Sequence, residues 1–399
     1  MFMMFAMTTD SVGVIIPEVI RTFHLSLTAA GAFHYATMSA IAIAAISLGY
    51  LADKLGRKRT IILGLILFAL NSYLFVFANT YVVFVTLLVV SGAAIGVFKT
   101  GALALIGDIS NSTKEHTSTM NTVEGFFGMG AIIGPAIVAR LLLSGVSWKW
   151  LYVIAGTICV ILIATASIMR YPETMKASPE PVNLGRTLHM LKNPYALGFS
   201  MACFLYVAVE CAIYVWLPTY LKENKPTSAF MTAYVISIFF ILRAAGRFIG
   251  AWVTGRWNWT TVLVLFSGAI LVCFLGSMLG GTDATVYLLS LSGLFMSVIY
   301  PTLNSKGISC FPKSEHGAVA GVILFFTCAG AALGPLAMGA VSDRFGGLKA
   351  GFVLATGWAA LLFLGLLYNW LANPTREVLQ RSDQNEYGLP SLPSPASES

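Results

Sequence analysis

The sequence predicts an all-α integral membrane protein of twelve spanning helices in two six-helix bundles. Three observations carry that prediction: 57% of the residues are hydrophobic and only 10% charged, the apolar runs are broken once by a polar stretch at mid-chain, and the two halves superimpose at an offset of 200 residues. A soluble domain carries about 25% charged residues. A chain of 399 residues this poor in charge cannot clothe a water-exposed surface, so the bilayer is its main partner.

A spanning helix needs about 20 predominantly apolar residues. The first run, 1–22, has no basic leader and no small-residue cleavage site, so it is expected to stay as a helix rather than be removed as a signal peptide. Runs over 29–51, 60–78 and 81–107 follow, the third opened by the basic cluster Arg57–Arg59 and the fourth interrupted only by Lys99. The run 117–143 holds Glu124 and a Gly-Pro pair, and 150–169 is free of charge. The break Arg170–Asn193 is too rich in Pro, Lys, Glu and Arg to sit in hydrocarbon. Six more runs follow at 195–221, 231–254, 260–279, 285–308, 317–339 and 348–371. The expected organisation is a first bundle over 1–169, a cytoplasmic loop over 170–193, a second bundle over 194–372 and a Ser- and Pro-rich disordered tail over 373–399.

Alternate loops differ in basic content. One set holds twelve Lys and Arg and the other six, so the richer set, with both termini, is expected to face the cytoplasm of a plasma or inner membrane. The net charge of +7 is dispersed through short loops, which argues against a nucleic-acid partner. Six cysteines without C-x-x-C spacing read as small core residues rather than a disulfide framework or metal site.

The offset of 200 places Asp10 on Glu210, and Phe126, Gly130, Ala131, Gly134 and Pro135 on Phe326, Gly330, Ala331, Gly334 and Pro335. Parallel six-helix repeats put a substrate site between the halves near the membrane midplane. Ionisable residues deep in spanning runs are candidates for such a site. At about 1.5 Å per residue, Asp10 and Lys99 lie roughly 14 Å, and Glu124 roughly 10 Å, into their helices; Glu210 and Arg243 fall near the middle of theirs.

Asp10 and Glu210 are the expected proton-coupling acids, with Glu124 as a third, since a carboxyl group in a low-dielectric interior can bind and release a proton during a cycle. The competing role for Asp10 is to cap a broken helix over Met7–Asp10. Lys99 and Glu124 are expected to pair, as a tie or as a switch, and Lys99 is also a candidate substrate contact, for an anion above all. Arg243 either pairs with Glu210 or clamps a substrate anion with its planar fork, and Arg247 reads as a gate. Phe33, Tyr35, Tyr214, Trp216 and Tyr300 are candidates to stack on a substrate, Tyr214 and Trp216 foremost, with Asn304 as a polar contact; the competing role is core packing. His34 is expected near the external surface. The glycine run Gly128–Pro135 lacks the preceding strand a dinucleotide fingerprint needs, and no catalytic triad, metal cluster or phosphate loop argues for an enzyme.

Between the second and third runs stands Gly49-Tyr50-Leu51-Ala52-Asp53-Lys54-Leu55-Gly56-Arg57-Lys58-Arg59. It resembles the signature loop of the major facilitator superfamily, G-x-L-a-D-r-x-G-r-k-x, in sequence and position, and its second-half counterpart, Gly250–Arg256, keeps a Gly and an Arg without the Asp. The resemblance implies the major facilitator fold and a gating role for Gly49, Asp53, Gly56, Arg57 and Lys58. Phe204–Glu210, Gly246–Gly250 and Ile299–Thr302 are similar to the fucose:proton symporter branch; Lys99 departs from it, a base where that branch implies an acid. The Gly-Pro run also resembles the motif of antiporters in the superfamily. The expected function is secondary active transport of a small polar solute, a sugar first, an organic anion or exported metabolite as alternatives, by a monomer coupled to protons or sodium, with no cofactor.

Overall fold

The computed structural model describes residues 1–48, 55–109, 113–171, 192–224, 226–254, 256–311 and 316–387. Each predicted apolar run becomes a helix: α1 (Phe2–Phe23), α2 (Ala32–Leu48, entered through a turn of helix at Leu27–Ala30), α3 (Arg57–Leu74), α4 (Tyr81–Ile109), α5 (Thr113–Leu143) and α6 (Trp150–Ile168). In the second half stand α7 (Pro194–Asn224), α8 (Ala229–Thr254), α9 (Trp259–Leu279), α10 (Gly281–Ser309), α11 (His316–Phe345) and α12 (Leu348–Ala372). Ten of these are long and apolar enough to cross a membrane by themselves. No strand occurs among the described residues.

The boundaries follow from local chemistry. Asn193 Oδ1 accepts the amides of Tyr195 and Ala196 at the head of α7, with Pro194 in the first helical position where its missing N–H is not needed. His24 ends α1 in the left-handed region at φ 52°. Three helices are interrupted inside their spans. In α1 the hydroxyls of Thr8, Thr9 and Ser11 bond back to the carbonyls of Phe5 and Met7, and the helix breaks at Asp10–Ser11. In α10 the break at Ser297–Val298 lies just ahead of Pro301, and in α7 a π-helical stretch, Ala212–Trp216, lies just ahead of Pro218. Proline has no amide to give the carbonyl four residues back, so the Tyr214 carbonyl is released from the ordinary ladder.

The repeat is visible in the packing. Helix α1 packs on α5 as α7 packs on α11; α2 on α4 as α8 on α10; α3 on α4 and α6 as α9 on α10 and α12. Glycines set the first pair of contacts: a Cβ on Gly130 or Gly134 would stand 2.0 Å or 2.3 Å from the carbonyl oxygens of Met3 or Met7, and one on Gly330 would stand 2.5 Å from that of Phe204. The Gly-Pro run thus serves the same close helix approach in both halves. The halves meet along three seams, α1 with α7, α5 with α8, and α2 with α11.

The tail departs from expectation. Disorder was expected from residue 373, yet Arg376–Tyr387 forms a helix, α13, with Val378 and Leu379 packed on the core and Thr375 buried. The Ser- and Pro-rich composition that argues for disorder lies beyond it, at 388–399, outside the described residues, as do 172–191 of the central loop.

Candidate functional site

The break in α1 places Asp10 at the α1–α7 seam, 6% exposed, with the Thr9 hydroxyl donating to Oδ2 at 3.3 Å. Across the seam Glu210, also 6% exposed, projects from the last turn of α7 before its π-helical stretch. Its Oε1 lies 2.5 Å from Nη1 of Arg243 on α8, whose guanidinium sits 5.9 Å from the ring centroid of Phe240. Arg243 and Lys99 lie within electrostatic reach of Asp10, as does Glu210 itself. Two acids and a guanidinium from α1, α7 and α8 therefore share one buried cluster. Among the described residues, Asp10 makes no ion pair, and Arg243 Nε finds no hydrogen-bond partner. Lys99, half-buried on α4, holds its Nζ 5.5 Å over the ring of Phe5.

Aromatic side chains wall the cluster. The Tyr214 hydroxyl lies 2.9 Å from Cys211 Sγ and 3.5 Å from Nε2 of His34 on α2, so these rings meet across the two halves. His34 is fully buried rather than near the surface, because its early position in α2 faces the seam and not the lipid. Tyr206, one turn before Glu210, donates to the Met296 carbonyl at 3.0 Å and stacks on Tyr300, which is half-buried with Asn304 on the second piece of α10. Trp216 is engaged in packing: it is wholly buried, its ring abuts Gly31, and its indole N–H donates to the Pro335 carbonyl at 3.0 Å. Phe33 stacks on Tyr81 within the first half, and the Tyr35 hydroxyl donates to the Thr28 carbonyl at 3.3 Å.

Arg247, one turn beyond Arg243, reaches to α5 of the other half, its Nη1 3.9 Å from where a Cβ would stand on Gly128. Of the signature loop, Gly56 opens α3 at φ 84° and Arg57 is buried. Lys58 works within the first half, donating to the Ser167 and Met169 carbonyls at 2.7 Å and 2.9 Å and so capping the end of α6. Gly49, Asp53 and the side chain of Glu124 lie outside the described residues, so the expected Lys99–Glu124 pair does too.

Sequence reasoning missed the contacts that close one end of the seam. Gly13 packs on the released Tyr214 carbonyl, Glu18 on α1 reaches Lys222 on α7 at 2.5 Å, and Asp343 on α11 bonds to Leu27 and Thr28 ahead of α2. Of these, only Asp343 had a sequence signal available, its place within a Gly-bounded octapeptide.

Comparison with known proteins agrees with this architecture. The Major Facilitator Superfamily is matched over residues 1–335. The L-fucose-proton symporter of Escherichia coli K12 is 25% identical over 405 residues, covering 91% of this chain and 90% of that protein. A glucose/galactose transporter of Brucella abortus biovar 1 is 23% identical, covering 92% of each chain. Among solved structures, a bacterial homologue of the human lysosomal transporter Spinster, inward-facing and occupied, superimposes with a TM-score of 0.75 at 15% identity over 94% of this chain and 95% of that one. With the matched family spanning most of the chain and the paired six-helix bundles in place, the chain belongs to the Major Facilitator Superfamily, a secondary transporter and not an enzyme.

Proposed function

We propose that this chain is a proton-coupled sugar importer of a bacterial inner membrane, working as a monomer with both termini in the cytoplasm. One observation carries the coupling: of two buried acids facing each other across the α1–α7 seam, Glu210 has a base in contact and Asp10 has none among the described residues. A buried carboxylate without an ion-pair partner is costly, and a proton on Asp10 removes that cost. Sugar enters at the same seam, beside Tyr214, Tyr206 and Tyr300. Proton and sugar then cross together as the bundles rock, with Arg243 released from Glu210 in part of the cycle. The named relatives that carry L-fucose, glucose and galactose support the choice of sugar.

A second reading, an acidic sugar or other organic anion, is favoured by Lys99, which sits over the Phe5 ring without an ion pair among the described residues. Proteoliposomes separate the two. Addition of a neutral hexose is expected to raise external pH as protons enter with sugar, independently of sodium. Movement of hexuronates alone overturns the neutral-sugar assignment, and sodium dependence without proton movement overturns the role of Asp10.

A further inference from the structure

Asp343 stands in the last turns of α11, in the second half of the chain, but its hydrogen bonds go to the first half. Oδ1 accepts the amide of Leu27 at 2.8 Å, and Oδ2 accepts the amide of Thr28 at 2.8 Å and its hydroxyl at 2.5 Å. These amides open the helical turn Leu27–Ala30, where no carbonyl within the helix is available to them. One carboxylate therefore satisfies two orphan donors and a hydroxyl from across the seam, in bonds strengthened by its charge.

The surroundings hold it in place. Four residues earlier, a Cβ on Gly339 would stand 3.0 Å from the Cα of Thr28, so α11 approaches Thr28 at backbone distance. Beyond Asp343, Gly346 and Gly347 take φ of 82° and 127°, turning the chain into α12. The Glu18–Lys222 bridge joins the halves at the same end.

The sequence repeats this chemistry. Gly339-Ala340-Val341-Ser342-Asp343-Arg344-Phe345-Gly346 matches the spacing of Gly49-Tyr50-Leu51-Ala52-Asp53-Lys54-Leu55-Gly56: glycine, then aspartate, a base, an apolar residue and glycine in the same register. The first octapeptide carries the end of α11, and the second follows α2 directly in the sequence. Asp343 is bonded to the start of α2, so these two helices finish at opposite ends of the bundle.

We propose that Asp343 is a gating residue: its carboxylate latches α11 to the start of α2, holds the Glu18–Lys222 end of the transporter shut, and must release Leu27 and Thr28 each time that end opens. The latch depends on alternating access alone and not on which solute is carried. Removing it shifts the population toward the state open at this end without unfolding either bundle.

Cys211 provides a native reporter, being wholly buried at the seam beside Tyr214, whereas Cys203 and Cys159 are wholly buried among apolar core residues. In the purified full-length protein, N-ethylmaleimide modification of each cysteine is followed by mass spectrometry. Asp343→Ala is expected to speed modification of Cys211 by roughly three- to tenfold, as befits the loss of charge-assisted bonds in a solvent-accessible setting, with Cys203 and Cys159 unchanged. Leu27→Pro removes one of the bonded amides at the first helical position, where proline fits, after a Ser26 already extended at ψ 160°. It is expected to give a smaller rise in the same direction. Wild-type modification of Cys211 in both variants overturns the latch. Parallel acceleration at all three cysteines also overturns it, since Asp343 then supports the fold rather than the gate.

Discussion

Gly13 is the position where a single added carbon tests the rocking of the halves. Its ideal Cβ would stand 1.7 Å from the Tyr214 carbonyl oxygen, where real Cβ contacts are not shorter than 3.0 Å, so α1 and α7 must part by about 1.3 Å. The opposing atom is backbone that cannot rotate away, and overpacking of this kind costs about 1–3 kcal/mol. In Gly13→Ala that cost falls only on the arrangement in which α1 and α7 touch here, shifting its population about 5- to 150-fold against the open one. Transport by reconstituted protein is therefore expected to fall steeply while the melting temperature stays within a few degrees of wild type. Gly134→Ala supplies the contrast. Its Cβ would meet Met7 at 2.3 Å inside the first bundle, a contact needed in every state, so its melting temperature is expected to fall. A Gly13→Ala protein that transports at the wild-type rate, or one that loses as much thermal stability as Gly134→Ala, refutes the assignment of this contact to the moving seam.

Breaking the buried pair by Arg243→Met leaves Glu210 without a partner and is expected to cost about 3–5 kcal/mol. Glu210→Gln with Arg243→Met is expected to recover much of that loss in denaturation measurements, and simple additivity would argue against the pair. Asp10→Asn is expected to retain counterflow of solute between equilibrated compartments but to lose uphill, proton-driven uptake; accumulation against a gradient in this variant removes Asp10 from coupling. Trp216→Phe deletes the hydrogen bond to the Pro335 carbonyl, so it is expected to cost about 1 kcal/mol of stability with the apparent affinity for sugar unchanged. A large rise in KM alone would return Trp216 to the substrate.

The helices were legible because hydrocarbon imposes a length of about 20 apolar residues on each span, and because a charge inside such a run stands out. Asp10, Lys99, Glu210 and Arg243 were found that way. The break at Asp10 was also legible, since Thr8, Thr9 and Ser11 offer hydroxyls that compete for helix carbonyls. What the sequence hid is pairing across the halves: Asp343 and Leu27 are 316 residues apart, Lys222 and Glu18 are 204 apart, and helical period says nothing about such partners. Tyr214 and Trp216, both aromatic candidates on α7, take different surroundings for a local reason. The π-helical stretch changes the register just where both residues lie, so faces counted at 3.6 residues per turn rotate out of phase.

The internal repeat explains the scaffold, and its exceptions locate the function. Where the repeat holds, at Gly130 and Gly330 or Gly134 and Gly334, it serves packing inside each bundle. Where it fails, the seam becomes asymmetric. Gly13 has Ile213 as its counterpart, so only one side of the α1–α7 crossing is pared down to admit a backbone carbonyl. Asp10 and Glu210 occupy equivalent positions, but the counterpart of Arg243 is Ile43, exposed on the outer face of α2. Two acids made equivalent by duplication are thereby made unequal by a single base: in this arrangement Glu210 is paired with Arg243, whereas among the described residues Asp10 has a hydroxyl and no ion pair. Two like carboxyls in one buried site lose their protons in two steps, because the charge left by the first disfavours loss of the second. On the proposed reading Glu210 holds the second bundle's charge in this arrangement while Asp10 loads and unloads the coupling ion, and Asp10→Asn beside Glu210→Gln is the comparison in which that division of labour must appear.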